Sequence, residues 1–194
     1  MSVKKSGLAA TLALALSSAA LVVTAPIALA AMEEKTVEVG GAPMYPSKNI
    51  VENAMNSKDH TTLVAAVKAA GLVETLSGPG PFTVFAPTND AFAKLPAGTV
   101  DTLVMPENKA ALTKILTYHV VAGTMTSADI AKEIEAGGGK ATLTTVEGEM
   151  LTAMMDGDKL VLTDAKGGTS TVTIADVMQS NGVIHVVDTV LMPK

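Results

Sequence analysis

Three histidines, His60, His119 and His185, are the side chains of this sequence that titrate closest to neutrality. A zinc site on one helix needs two imidazoles four residues apart, and these three are scattered along the chain without such an interval. Asp156-Gly157-Asp158 places two carboxylates close together. It lacks the alternating ligands and closing glutamate of a calcium loop, and Asp-Gly is the chemistry of a hairpin turn. With no cysteine there is no thiol nucleophile, and no serine stands in a Gly-x-Ser-x-Gly elbow. Ser127 and Asp129, close to His119 in sequence, read as helix-capping residues. The polar residues therefore predict no catalytic constellation, no metal and no cofactor, and the chain is expected to bind rather than catalyse.

Methionine offers a different chemistry. Met150, Met154 and Met155 fall in a region of hairpins, with Met125 and Met178 as further candidates. Thioethers fill irregular core space, suit adaptable apolar surfaces and ligate soft copper. Two readings stay open at this point: plain core filling in a chain without tryptophan, or a groove for a lipid-like or pigment ligand. Charge narrows the partners. The 19 acidic residues outnumber 14 basic ones, and every basic residue is lysine. Nucleic acids and anionic membrane surfaces are read by arginine forks and basic patches, so both are disfavoured.

Lys4 and Lys5, an apolar run from Leu8 to Val23, Pro26 and Ala28-Leu29-Ala30 follow the order of a secretory leader. Residues 1–30 are read as a signal peptide cut before Ala31, because roughly 16 apolar residues fall short of the ~20 that span a bilayer. The protein is thus expected to be exported, periplasmic or extracellular, with no integral membrane segment after cleavage. Residues 31–46 mix glutamate, glycine and proline and read as a flexible arm. From 47 to 194 the chain reads as a single domain. Helical spacing recurs at Ile50, Val51 and Ala54, then at Leu63, Val64 and Val67 behind Asp59 as a candidate cap, with Gly71 as a stop. Phe82-Thr83-Val84-Phe85 is a short strand, and Thr88 caps the helix that follows. Further helices are expected over 99–104, over 107–117 ahead of a strand at 120–122, and after Ser127. Beyond Gly137-Gly138-Gly139 the period changes to two, over 141–146, 149–155, 159–163, 170–174 and 183–187, with Gly-containing turns between. Helices followed by hairpins make an α+β domain. Val183, His185 and Val187 share one face of the last strand and Ile184 and Val186 the other, which predicts a central strand.

Three segments, FTVFAPTNDAF at 82–92, LTYHVVAG at 116–123 and SNGVIHVVDTVLMP at 180–193, together resemble the signature of the fasciclin domain family. The resemblance spans about 48–194 and implies a β-wedge of two sheets with helices packed along one side. It implies a non-enzymatic cell-adhesion or surface-interaction module whose partner is a surface or matrix protein. Some exported relatives instead carry an apolar small ligand such as a carotenoid. Tyr118 and His119 fall on the family's Tyr-His pair, implicated in integrin binding in animal relatives. Their structural alternative is packing by Tyr118 and backbone hydrogen bonding by His119 at a helix-to-strand junction. Ala175-Asp176-Val177-Met178 resembles the Pro-Asp-Ile-Met of integrin-binding relatives, with Ala175 in place of Pro and Val177 in place of Ile, where an exposed carboxylate would complete an integrin's metal site; the alternative is a solvent-facing turn aspartate.

Overall fold

The computed structural model of the chain describes residues 36–194. The signal peptide read over 1–30 and the first residues of the arm lie outside the described residues. Local chemistry fixes several element ends. Asn49 opens α1 (Ile50–Asn56) with a reciprocal box: its side chain accepts from the Glu52 N–H at 2.9 Å, and the Glu52 carboxylate accepts from the Asn49 N–H at 3.0 Å. Gly71, with φ 73°, stops α2 (Thr61–Ala70) as the sequence predicts. Asp59 does not cap it. That residue sits in a 3-10 turn, and the Thr62 N–H donates instead to Asn89 Oδ1 at 3.0 Å. After α3 (Val73–Ser77) and β3 (Phe82–Pro87), Thr88 caps α4 (Asn89–Ala93) as expected. There follow α5 (Thr99–Leu103), α6 (Lys109–Tyr118) and a strand over Val120–Ala122, which we call β4. The cap of α7 (Ser127–Ala136) falls one residue earlier than read. Thr126 and Asp129 form the box, and Ser127 is the first helical residue.

The arm departs from expectation. Within it β1 (Val37–Val39) and β2 (Ala42–Met44) pair as a hairpin, and Val39 and Met44 are buried. Residues 37–44 are therefore packed chain rather than a flexible arm. Three-residue strands are too short to show a period, so this order comes from tertiary burial.

Five more strands complete the domain: β5 (Ala141–Thr144), β6 (Met150–Asp156), β7 (Lys159–Thr163), β8 (Thr169–Gln179) and β9 (Gly182–Val187). Together with β3 and β4 they form one sheet in the order β4-β3-β9-β8-β7-β6-β5. The β8 strand belongs to two halves. Thr169–Thr171 pair with β7, whereas Val172 to Gln179 pair with β9 across two bulges. Passing from one neighbour to the other, β8 folds the sheet into the wedge the sequence resemblance implies. It runs past the expected 174 because bulges break the alternation by which a strand is read.

Apolar residues on both faces of β3 and β9 serve two cores. Val84, Ala86, Ile184 and Val186 pack with α1, α2, α4 and α6, while Phe85 and Val187 pack with α7 and the β5–β7 half. These two strands lie parallel, with Phe82 opposite Gly182. Gly182 is required there, since a Cβ would overlap the Phe82 carbonyl. Gly182→Ala is expected to cost about 3 kcal/mol or more, read as a lowered urea midpoint with an unchanged slope.

Candidate functional site

Tyr118, at the end of α6, is fully buried. Its hydroxyl donates to the Met150 carbonyl at 3.0 Å and accepts from the Ala165 N–H at 3.0 Å. His119 follows as the C-cap residue of α6. Nδ1 lies 2.8 Å from the Ile115 carbonyl and so carries the proton, which leaves Nε2 to accept from the Leu191 N–H at 3.0 Å. The pair thus ties α6 to β6, to the turn before β8 and to the C-terminal segment. Desolvation pushes the His119 imidazole down to about 4, against weaker opposing contributions from the Ile115 bond and Asp164.

Asp176, Val177 and Met178 take three separate positions. Asp176 lies in the bulged part of β8 at φ 58°, the one non-glycine residue with positive φ among the described residues. Its carboxylate accepts from the Ser127 N–H at 2.6 Å and from the Ser127 hydroxyl at 2.5 Å. It therefore places a negative charge on the first turn of α7, where the helix dipole favours it. This is no solvent-facing turn aspartate; it joins α7 to β8. The Asp176 N–H donates to His185 Nδ1 at 3.3 Å, and His185 Nε2 then donates to the Met125 carbonyl at 2.9 Å. The His185 ring stacks on Phe85 with centroids 5.6 Å apart. A serine, an aspartate and a histidine are thus neighbours, but both ring nitrogens of the histidine are taken by backbone and neither meets the Ser127 hydroxyl. A nucleophile–base pair requires that contact. Val177 is buried in the helical core, and Met178 is 42% exposed.

One cavity was not read from the sequence. It is a cleft of about 590 Å³ between the first half of α7 and the strands β7 and β8. Leu160, Val172 and Met155 line it with Ala128, Ala131 and Ala175, and Asp158, Lys159, Ser127, Thr171 and Thr173 supply its polar groups. Of the methionines read as groove candidates only Met155 reaches it; Met150 and Met178 are exposed elsewhere. The cleft forms where β8 leaves β7, a place that only the paired structure reveals. A second, almost wholly apolar space of about 30 Å³ among α1, α2, α3 and β3 is the volume of about one water and is a packing gap. Among the described residues no group of three His, Asp or Glu side chains could hold a metal, and no helix is long and apolar enough to cross a membrane.

Burial holds His60 and His185 below the ordinary imidazole value, as it does His119. Above about pH 6.5 all three are neutral in both folded and unfolded chain, and stability is full. As pH falls below that value the unfolded chain takes up protons that the folded chain refuses, and stability drops until the folded His119 titrates near 4. His119 alone is expected to remove about 3 kcal/mol across that window, measured by urea unfolding from pH 7.5 to 4. Asp176→Ala loses both Ser127 bonds and puts a Cβ residue without a compensating side chain at positive φ. It is expected to cost about 2 kcal/mol, and Asp176→Asn about half of that, in the same assay at pH 7.5.

The family model of the fasciclin domain matches residues 58–193. A Synechocystis protein, sll1483, is 50% identical over 169 residues, covering 86% of this chain and 87% of its own. The immunogenic protein MPB70 of Mycobacterium bovis is 39% identical over 145 residues, 72% of this chain and 66% of that one. The transforming growth factor-beta-induced protein ig-h3 of Sus scrofa is 36% identical over 155 residues, 76% of this chain but 20% of that longer protein. In fold, the chain is similar to the FAS1 domain pair of the insect cell adhesion molecule fasciclin I, with a TM-score of 0.68 at 20% identity over 76% of this chain and 52% of that one. With a family model matched over residues 58–193 and a relative 50% identical over most of both chains, the chain belongs to the fasciclin domain family.

Proposed function

We propose that this chain is an exported, non-enzymatic interaction module of the adhesion type, whose partner is a surface or matrix protein. The observation that carries the reading is the state of its polar residues. Tyr118, His119, His185, Ser127 and Asp176 are each engaged with backbone or with one another inside the fold, which leaves binding to the surface. A four-strand row of threonines, Thr142, Thr152, Thr163 and Thr169, crosses β5 to β8 on the face that the buried residues of those strands leave outward. Met150, Met154 and Val161 share that face, with Asp156 and Lys159 at one end of it. The cell adhesion molecule of similar fold supports the reading by family likeness. In it Met178 is the exposed member of the Asp176-Val177-Met178 segment, while Tyr118 and His119 act by holding the surface in shape.

The second reading, carriage of an apolar small ligand, is favoured by the α7–β8 cleft, whose volume suits such a molecule. One purification separates the two. The protein is taken from its native host after mild cross-linking, and its mass, its absorbance and an organic extract are recorded. Adhesion predicts a chain beginning at Ala31, a reproducible cross-linked surface protein and no stoichiometric extractable ligand. A stoichiometric apolar molecule without a protein partner would reverse the order of the two readings.

A further inference from the structure

His185 is fully buried on β9, and its two ring nitrogens have opposite duties. Nε2 faces the Met125 carbonyl at 2.9 Å, a group that only accepts, so Nε2 carries the proton. Nδ1 is then the lone pair that receives the Asp176 N–H at 3.3 Å. The same aspartate uses its carboxylate to hold the Ser127 N–H and hydroxyl on the first turn of α7, and Ser127 and Ala175 line the cleft beside that turn. One imidazole lone pair thus stands behind the contact that fixes α7 to β8. Asp176 itself sits at φ 58°, a conformation that a non-glycine residue keeps only while its neighbours hold it there.

We infer that His185 and Asp176 form an acid-released latch on α7: a proton on Nδ1 expels the Asp176 N–H, the Asp176 carboxylate turns from Ser127 to the imidazolium, and the cleft between α7 and β8 opens. The proton comes from solvent. It makes Nδ1 a second donor, and two donors cannot share one bond. The carboxylate belongs to the residue whose N–H is displaced, and it is the charged group whose field acts on the ring. Burial opposes the charged ring, whereas the Met125 carbonyl and Asp176 favour it, and Phe85, stacked with its centroid 5.6 Å away, offers the face of its ring to a cation. On α7, the Thr126 hydroxyl holds the Asp129 carboxyl below the usual carboxylate range, and Asp129 pairs with Lys132 at 3.6 Å, so it stays charged while His185 titrates. Phe85 on β3 and the Met125 carbonyl before α7 do not titrate. The opening is local, because Ile130 and Ile134 keep the rest of α7 in the second core while its first turn gives way. This goes beyond the interaction-module reading and holds for any occupant of the cleft.

The test titrates isotope-labelled protein by NMR from about pH 7.5 to about 4.5, which stays above the value near 4 at which folded His119 takes up its proton, and reads amide exchange as protection factors. The His185 ring nitrogens and the Ser127 and Asp176 amides are expected to shift at one midpoint. Protection at Ser127, Asp129 and Ile130 should fall by about tenfold or more while the amides of Val183 to Val187 keep theirs. His185→Gln has no titrating ring and should show no such step. Asp176→Asn keeps an oxygen for Ser127 but removes the charge drawn to the imidazolium, so its step should move to lower pH; it carries the test alone where His185→Gln does not fold. The latch is overturned when His185 titrates without moving Ser127, when its ring stays neutral over the whole range, or when Asp176→Asn fails to lower the midpoint. Simultaneous loss of protection in α7 and β9 also overturns it, because that is global unfolding.

Discussion

The fold depends on one pairing, the parallel contact of β3 with β9. These strands are a hundred residues apart in sequence and meet residue for residue from Phe82–Gly182 to Pro87–Val187. Every residue of β9 is buried. Strands buried on both faces carry apolar side chains without a polar side, and here one face feeds the helical core and the other the wedge. If the pair slipped by one residue, Ile184 and Val186 would exchange cores with Val183 and Val187. Close approach of the Gly182 backbone to Phe82 works against such a slip, because a glycine must stand at that crossing.

Around that pair the buried polar groups act as connectors. His119 gives its Nδ1 proton to Ile115 and receives the Leu191 N–H, so one ring joins the helix before β4 to the segment after β9. His185 does the same between the Asp176 bulge and Met125, while its face stacks on Phe85 of the neighbouring strand. A neutral imidazole suits this work because it offers one donor and one acceptor. The same arrangement makes the connectors poor catalysts, since a general base needs a free lone pair aimed at a substrate proton. A histidine that a sequence suggests as a site residue is thus explained by the backbone groups it satisfies.

Much of the fold was legible because its signals were local. The two-faced pattern at 183–187 announced a central strand, Thr88 before Ala91-Phe92 announced a cap, and the glycine turns separated the hairpins. Features that rest on distant partners were not legible. The Val37–Met44 hairpin has only three residues on each side, and Val39 and Met44 gain their place from a core built elsewhere. Asp176 stood just before an Asn-Gly turn and read as part of it. Its actual role needs both a bulge in β8 and the first turn of α7, whose residues lie about fifty positions earlier. Tyr118 and His119 could be found from their motif, but only coordinates distinguish a buried connector from an exposed contact.

Loss of register at β8 links the fold to its surface. A strand that pairs with β7 at one end and with β9 at the other cannot keep both ladders complete, because the two halves of the wedge diverge. The bulges absorb part of that divergence on the β9 side, and the Asp176–Ser127 bonds hold α7 against the split on the inner side. The β7 ladder ends at Val161–Thr171, and next to its end Leu160 and Val172 line the cleft. The cleft is in this sense a consequence of the same folding of the sheet that creates the second core. Ala128, Ala131 and Asp158 line that cleft from α7 and from the β6–β7 turn. Inside the fold, Tyr118, His119 and His185 hold neighbouring elements together through hydrogen bonds to backbone.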